Sequence, residues 1–247
     1  MELQDRTCLV TGSSRGIGEG IATELGSHGA NVVVNCHSAV EAAEETVEDV
    51  AAAGGEAIAI QADVTDEDDV QAMRDQVHDV FGPIDVLVNN AGITQDTRFV
   101  NMTKEEWDRV LDVHLGGMFL CTKVFYDDIS DAEEGRLINI SSIVGKQGNF
   151  GQANYATAKS GMFGFTRTLA LELAPSGSTA NAVAPGFTRT QMLDAVPEQV
   201  QDSIREEIPL GRFGSVQDIS CVVRFLAGPD SSYVTGEVID VNGGMDL

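Results

Sequence analysis

Three residues in the second half of the chain have side chains that can exchange or hold a proton. Tyr155 and Lys159 are four apart in "NYATAKSG", so on a helix they project from the same face. Ser142 lies upstream, directly after the apolar run "RLINIS". A free tyrosine has a pKa near 10, and a nearby lysine ammonium lowers it by stabilising the phenolate. This set could protonate a carbonyl oxygen, with the serine hydroxyl stabilising the charge that develops there.

A glycine-rich segment near the N-terminus, "TGSSRGIG" from Thr11 to Gly18, follows an apolar run and precedes an amphipathic one. Glycines at such a place let the backbone turn tightly and approach a pyrophosphate, whose charge a helix N-terminus stabilises. Glycine alone more often only makes a turn, but the strand-loop-helix context favours a dinucleotide site. A Tyr and a Lys four residues apart can be ordinary neighbours on a helix. Because this glycine-rich segment and Ser142 occur in the same chain, a catalytic role for Tyr155 and Lys159 is the better explanation of the pair.

Short apolar runs alternate with longer amphipathic stretches along the chain. Continuous apolar strands separated by helices favour a parallel sheet covered on both faces. No repeat or linker is visible, so we expect one doubly wound, Rossmann-type α/β domain over residues 1–247, with a seven-stranded parallel sheet flanked by helices. Long helices are predicted at about 103–125 and 152–174, and strands in "TCLVTG", "NVVVN", "EAIAIQADV", "IDVLVNNAG", "RLINISS", "STANAVAPG" and "GEVIDVNGG".

The charge balance is strongly acidic. Asp and Glu number 39 against 15 Lys and Arg, a formal net charge of -24. A nucleic-acid partner is disfavoured because no basic footprint is visible, and disorder is disfavoured by the periodic apolar residues. A docking surface for a basic partner stays open, although the acids are spread over many helices. We favour adaptation to high salt, as in a halophile, where self-repulsion is screened within roughly 3 Å at 1 M.

Cysteine usage and the N-terminal segment bear on metals and location. Cys8, Cys36, Cys121 and Cys221 are far apart and lack metal-type spacing. Buried free thiols are therefore favoured over ligands or disulfides, and no metal site is predicted. The start "MELQDRTCLVTG" has charges where a signal peptide needs an apolar core, and no apolar run approaches membrane-spanning length. We expect a cytoplasmic protein without a membrane partner.

Three short motifs, taken together, resemble the motifs of a known protein family. "TGSSRGIG" has the spacing GxxxGxG, and "NNAG" (89–92) and "NYATAK" (154–159) follow in order. The sequence is similar to the short-chain dehydrogenase/reductase family over essentially its whole length, up to "VTGEVIDVNGGM". The resemblance implies catalytic roles for Ser142, Tyr155 and Lys159, with Lys159 also holding the nicotinamide ribose. Relatives are commonly tetramers, so a homotetramer is expected.

The resemblance also implies a nicotinamide cofactor. NAD-specific members usually carry an acid just after the second strand, whereas "VVVNCHSAVEAAEE" has none before Glu41. Arg15 can meet a 2′-phosphate, which favours NADPH; the alternative is a solvated loop arginine. The expected cofactor-binding residues are Gly12, Ser14, Arg15, Gly16, Ile17, Gly18, Asn35, His37, Ser38, Asp63, Val64, Asn90, Ala91, Gly92, Tyr155, Lys159, Pro185, Gly186, Thr188 and Thr190.

One position departs from the family pattern. "VHLGGMF" places His114 where the pattern "VNLxGxF" has asparagine, the fourth member of the catalytic group. In the family its backbone carbonyl is thought to hold a water that links the lysine to solvent, while its side chain stabilises a helix distortion. An imidazole can still donate or accept one hydrogen bond, so we expect the relay to survive. The alternatives are a titrating histidine with pKa near 6.5 and a merely packed side chain.

Within the family, "GNFGQANYATAKSGMFGFTRTLALE" and "YVTGEVIDVNGGM" resemble the reductases of 3-oxoacyl thioesters. Acyl carrier protein (ACP) is acidic, and "YDDISDAEEGR" is too, so CoA is favoured as the carrier. The first hypothesis is NADPH-dependent reduction of acetoacetyl-CoA to (R)-3-hydroxybutyryl-CoA, for polyhydroxyalkanoate supply. The alternatives are 3-oxoacyl-ACP reduction, another alcohol or sugar dehydrogenase, and a catalytically lapsed NADP-binding regulator. Candidate cations for the CoA phosphates are Arg98, Lys146, Arg189 and Arg212.

Overall fold

A parallel sheet runs through the centre of the molecule. The computed structural model describes residues 2–190, 193 and 197–246. Within them, seven strands form one all-parallel sheet in the order β3-β2-β1-β4-β5-β6-β7. The strand order reverses between β1 and β4, where a ligand crevice forms in such sheets. The strands are β1 Thr7–Val10, β2 Asn31–Cys36, β3 Glu56–Gln61, β4 Val86–Asn89, β5 Arg136–Ile140, β6 Thr179–Pro185 and β7 Val238–Val241.

Helices cover both faces of the sheet, which confirms the predicted doubly wound α/β fold. Side chains of β1 alternate between two cores: Cys8 and Val10 pack with one, and Leu9 packs with the other. Helices α1, α2 and α10 close the first core, and α3, α5 and α8 the second. The helices are α1 Gly16–Ser27, α2 Val40–Ala52, α3 Glu67–Phe81, α4 Lys104–Leu111, α5 Gly117–Val124, α6 Tyr126–Asp131, α7 Val144–Gln147, α8 Ala153–Leu173, α9 Glu198–Glu206 and α10 Val216–Ala227.

Several predicted elements are shorter in the structure, and two of the differences have a clear local cause. The helix expected over 103–125 is interrupted by a π-helical turn at Asp112–Gly116, which separates α4 from α5. The strand expected to continue to Val64 ends at Gln61. There the Asp63 carboxylate accepts hydrogen bonds from the backbone N–H and the hydroxyl of Thr65, and this turn ends the strand.

A buried chain of polar side chains joins the two central strands to two helices. Asn89 Nδ2 on β4 donates to Asn139 Oδ1 on β5 at 2.9 Å and to Thr122 Oγ1 on α5 at 3.0 Å. Asn139 Nδ2 donates in turn to Thr166 Oγ1 on α8 at 2.9 Å. Because buried polar groups are costly when unpaired, these bonds fix how α5 and α8 lie on the sheet.

We predict that Asn139→Ala lowers the free energy of unfolding by about 2 kcal/mol, because Asn89 and Thr166 would each lose a buried partner. Urea unfolding at constant salt measures the change. Asn101→Ala is the matched control, since Asn101 is exposed, and it should shift stability by less than about 0.5 kcal/mol. Equal losses in the two variants would contradict the role given to the buried chain.

Candidate active site

The backbone of the loop between β1 and α1 lies close to the segment that follows β4. Gly12 and Gly16 have φ of 61° and 62°, the left-handed region that favours glycine. A Cβ on Gly12 would lie 2.8 Å from the Cα of Ala91. A Cβ on Gly18 would lie 2.5 Å from Asn90 Nδ2 and from the Gly12 carbonyl oxygen. The loop therefore has the turn and the close packing that a pyrophosphate site needs.

Side chains after β1 and β4 hold this loop. Asn90 Nδ2 donates to the carbonyl oxygens of Thr11 and Gly12 at 2.9 and 3.0 Å. Thr11 Oγ1 accepts from the backbone N–H groups of Asn90 and Ala91, both at 3.0 Å. Thr11 was not predicted as a site residue. Its sequence signal is a polar residue between a buried strand and the first glycine of the loop.

Asn35, predicted to bind cofactor, braces the loop from below. Its Oδ1 accepts from the Gly12 N–H at 3.1 Å, and its Nδ2 donates to the Ala62 carbonyl oxygen at 3.1 Å. The side chain is buried and engaged on both sides. We therefore assign Asn35 the role of positioning the loop.

The charged groups after β2 and β3 meet at the same edge of the sheet. Arg15, His37 and Ser38 are exposed there, and His37 Nε2 lies 3.4 Å from Asp63 Oδ2. Partial burial raises the pKa of Asp63, but hydrogen bonds from Thr65 and the nearby His37 and Arg109 outweigh it, so the net pKa is lowered. In the described part of the chain, no carboxylate forms an ion pair with Arg15. Its guanidinium is thus available to a phosphate.

The run after β6 returns toward the glycine loop. Thr188 forms an isolated parallel β-bridge with Gly214. Thr190 Cγ2 lies 3.8 Å from the position that a Cβ on Gly16 would occupy. A Cβ on Gly186 would lie 2.8 Å from the Cα of Asn242. Four other predicted members also lie in this row of loops and strand ends, and Ile17 lies in the first turn of α1. The four are Ser14, Val64, Ala91 and Pro185.

Tyr155 and Lys159 lie on α8, facing the end of β5. Lys159 Nζ lies 5.6 Å from the centroid of the Tyr155 ring and donates to the Ile140 carbonyl oxygen at 2.7 Å. The lysine side chain is only 3% exposed, and burial lowers its pKa to about 7. Lys159 can therefore gain or lose a proton near neutral pH.

The phenol of Tyr155 has a raised pKa. Removal from water raises it most, the Ser142 hydroxyl lowers it, and the charge of Asp96 raises it further. This differs from the expectation that Lys159 would lower the tyrosine pKa, because desolvation of the phenolate dominates. At neutral pH the phenol is protonated, the form that a proton donor needs.

Several side chains that were not predicted hold the catalytic helix in place. Ser141 Oγ donates to the Lys159 carbonyl oxygen at 2.8 Å. Asn154 Oδ1 accepts from the Tyr155 N–H at 2.8 Å, and its Nδ2 donates to the Gln95 carbonyl oxygen at 3.1 Å. Asn154 is fully buried, and its signal in the sequence is a polar residue directly before the tyrosine.

His114 lies inside the π-helical turn and reaches the loop after β4. Its Nε2 lies 2.8 Å from the Ile93 carbonyl oxygen and 3.2 Å from the Ile93 N–H. Its ring meets the Tyr155 ring edge to face, with centroids 5.3 Å apart. A Cβ on Gly92 would lie 2.2 Å from His114 Cε1. The imidazole fits because residue 92 has no side chain.

Burial keeps the imidazole uncharged. It lowers the pKa of His114 to about 3, with a further lowering by Lys159 and a smaller rise from the Ile93 hydrogen bond. Titration of His114 near neutral pH is therefore disfavoured, and orientation of the 92–93 loop is favoured. Whether the water relay is kept stays a prediction.

Two further features of the described residues concern metals and membranes. No group of His, Cys, Asp and Glu within residues 2–190, 193 and 197–246 is arranged to hold a metal ion. In the same part of the chain, no helix is both long and apolar enough to span a bilayer.

Comparison with known proteins shows extensive similarity. Residues 12–246 match a family model described as enoyl-(acyl carrier protein) reductase. The 3-oxoacyl-[acyl-carrier-protein] reductase FabG of Staphylococcus aureus is 47% identical over 240 residues, covering 97% of this chain and 98% of the relative. The 3-oxoacyl-[acyl-carrier-protein] reductase of Synechocystis sp. is 46% identical over 244 residues, 98% of each chain. FabG of Aquifex aeolicus is 44% identical over 246 residues, 99% of each chain.

We predict that His114→Asn leaves the pH dependence of kcat/KM unchanged between about pH 5 and 8, because an imidazole with a pKa of about 3 does not titrate there. Stability should change instead. The unfolded histidine binds its proton below about pH 6.5 and the folded one only near pH 3, so the wild type loses stability across that window as the pH falls. At pH 5 the difference amounts to about 2 kcal/mol.

Denaturant unfolding at pH 5 and pH 7 measures this effect, and His37→Asn is the control because His37 is exposed. The His114 variant should have the flatter acid branch, whereas the control should follow the wild type. A rate profile that loses an ionisation near neutral pH in His114→Asn would restore the titrating role.

Proposed function

Because this chain is an oxidoreductase of the short-chain dehydrogenase/reductase family, we propose that it reduces the ketone of a 3-oxoacyl thioester carried by acyl carrier protein. The observation that carries the proposal is the convergence of Ser142, Tyr155 and Lys159 beside the glycine loop at one end of the sheet. The relatives named above are all called 3-oxoacyl-ACP reductases, which supports the thioester and its carrier.

Reductases of this family use NADPH, and the residues at the loop fit it. Gly12 and Gly16 make the left-handed turns of the loop. Gly12 and Gly18 pack closely against Ala91 and Asn90, which places the loop backbone at the N-terminus of α1, where a pyrophosphate can bind. Arg15 is exposed and suits a 2′-phosphate, and no acid precedes Glu41 after β2. When bound, NADPH supplies the hydride that reaches the carbonyl carbon.

The proton comes from this chain's own residues. Tyr155 donates the phenolic proton to the carbonyl oxygen, and Ser142 donates a hydrogen bond to the same oxygen as negative charge develops. Lys159, with a pKa of about 7 and its Nζ on the Ile140 carbonyl, can return a proton toward the phenolate. His114 acts as a positioning residue, because it holds the loop that carries Gly92 and Ile93.

Ion pairs weaken the case for CoA, which the sequence favoured. Lys146 Nζ lies 2.5 Å from Asp240 and 3.2 Å from Asp246. Arg212 makes two hydrogen bonds to the Asp218 carboxylate. Two of the four cations expected for CoA phosphates are therefore already neutralised.

Acetoacetyl-CoA reduction, with its role in polyhydroxyalkanoate supply, remains the second candidate. One observation favours it: the net charge of -24 repels an acidic carrier protein. Molar salt would weaken that repulsion, because the Debye length falls to roughly 3 Å at 1 M. The two carriers can therefore be separated by their response to salt.

We predict that the protein oxidises NADPH with acetoacetyl-ACP and with acetoacetyl-CoA, and that kcat/KM for the ACP thioester is the higher in about 2 M KCl, where repulsion is screened. Raising KCl from about 0.1 M should improve the ACP reaction more than the CoA reaction. Absorbance at saturating NADPH follows both. A preference for CoA at high salt would favour the second candidate, and turnover of sugar or steroid alcohols alone would contradict both.

Tyr155→Phe should lower kcat/KM by about 10³-fold with either thioester, because the proton donor is lost. NADPH binding, measured by fluorescence, should change by less than about twofold, since the ring is kept. Tyr126→Phe is the matched control, because it removes a phenol from α6, and it should keep wild-type activity. Retention of most activity by Tyr155→Phe would contradict the mechanism.

We also propose that the chain forms a homotetramer adapted to high salt, in the cytoplasm. Phe119 on α5 and Leu171 on α8 are 52% and 78% exposed. They lie on the two long helical stretches that pack across a dimer interface in tetrameric relatives, which supports their burial in an assembly. Leu171→Asp should reduce the mass measured by light scattering, whereas Val80→Asp on α3, also exposed, should not. Wild-type protein should dissociate at low salt; a mass that does not change with salt would contradict this.

A further inference from the structure

A carboxylate of α1 is bonded to the first N–H of its own helix. Glu19 Oε2 accepts a hydrogen bond from the Gly16 N–H at 3.0 Å. Gly16 is the first residue of α1, and the residue before it, Arg15, is extended and offers no side-chain cap. The Glu19 charge therefore lies at the positive end of the helix dipole.

This charge has no cation to balance it. Among the described residues, no Lys, Arg or His forms an ion pair with Glu19, whereas Glu24, one turn further along α1, is paired with Arg224 at 3.0 Å. Glu19 is half-buried and shares the lining of a surface groove with Glu24 and Asp49. Glu19 therefore places a negative charge beside the glycine loop, without an ion-pair partner in the described part of the chain.

The same helix end is where an anionic ligand would be drawn. The first N–H groups of a helix have no partner within the helix, and together with the dipole they attract phosphate. Gly12, Gly16 and Gly18 bring the backbone of the loop to this point. A phosphate bound there would share its donors and its space with the Glu19 carboxylate.

We propose that Glu19 is a built-in competitor for the dinucleotide phosphates, and that it makes NADPH affinity depend on salt. The inference rests on the proposed function, because it needs NADPH to bind at the glycine loop. A pyrophosphate at the start of α1 is repelled by the Glu19 carboxylate, and the Gly16 N–H that could donate to it already donates to Glu19. Dissolved ions screen this like charge, so the penalty that Glu19 imposes on NADPH binding shrinks as salt rises.

Two properties of Glu19 can be separated by substitution. Glu19→Gln keeps an amide oxygen that can accept from the Gly16 N–H but removes the charge. Glu48→Gln removes a charge from the exposed face of α2 and is the matched control. Neither substitution alters a residue assigned to proton transfer.

The experiment measures the Kd of NADPH by fluorescence titration in about 0.1 M and about 2 M KCl. In low salt, Glu19→Gln should bind NADPH about fivefold more tightly than the wild type, as expected for removing one charge near a helix end. In high salt the two should agree. The ratio of the wild-type Kd to the Glu19→Gln Kd should fall toward one as salt rises, and Glu48→Gln should follow the wild type throughout.

Equal affinities of Glu19→Gln and wild type in low salt would overturn the inference, and so would an equal gain in Glu48→Gln. Circular dichroism and urea unfolding check that the variants are folded. Failure of the wild type to bind NADPH at either salt concentration would instead overturn the proposed function. A gain confined to Glu19→Gln in low salt would support the competitor.

Discussion

Removal of water from the carboxyl end of the sheet is the constraint on which the whole site depends. Desolvation brings the pKa of Lys159 down to about 7, brings that of His114 to about 3, and raises that of Tyr155. One cause therefore favours the uncharged form of all three groups. Near neutral pH the lysine is the member of this set that exchanges its proton readily, and the phenol of Tyr155 stays protonated.

Hydrogen bonds offset much of the cost of burying this cluster, while His114 Nδ1 and Asn89 Oδ1 are buried without a partner among the described residues. The Ile140 carbonyl receives the lysine ammonium, and the Ile93 backbone holds the imidazole. Below them, Asn89 and Asn139 join the two central strands to α5 and α8. In a parallel sheet the carboxyl ends of all strands lie at the same edge, so residues that follow β4 and β5 can act as partners in one site. The strand order reverses between β1 and β4, and the site lies at this reversal. Fold and proton chemistry thus use the same set of hydrogen bonds.

Local patterns in the sequence predict much of this. Apolar runs indicated the strands, the glycine spacing indicated the first loop, and the four-residue interval placed Tyr155 with Lys159. What they could not predict depends on contacts between distant residues. The π-helical turn coincides with a bond between His114 and Ile93, 21 residues away, and Asn35 turned out to brace a loop. The pairing of Lys146 with Asp240 spans 94 residues, so a cation that looked free for CoA is engaged.

The contact between Gly92 and His114 has a consequence for how this site could have changed over time. An imidazole at 114 is compatible only with a residue 92 that lacks a side chain, since an added Cβ would overlap the ring. A larger residue at 92 requires the imidazole to leave its place on the Ile93 backbone, and with histidine in that place glycine is the residue that fits. Substitutions at the two positions are therefore coupled. A library that randomises them independently would misjudge the tolerance of both.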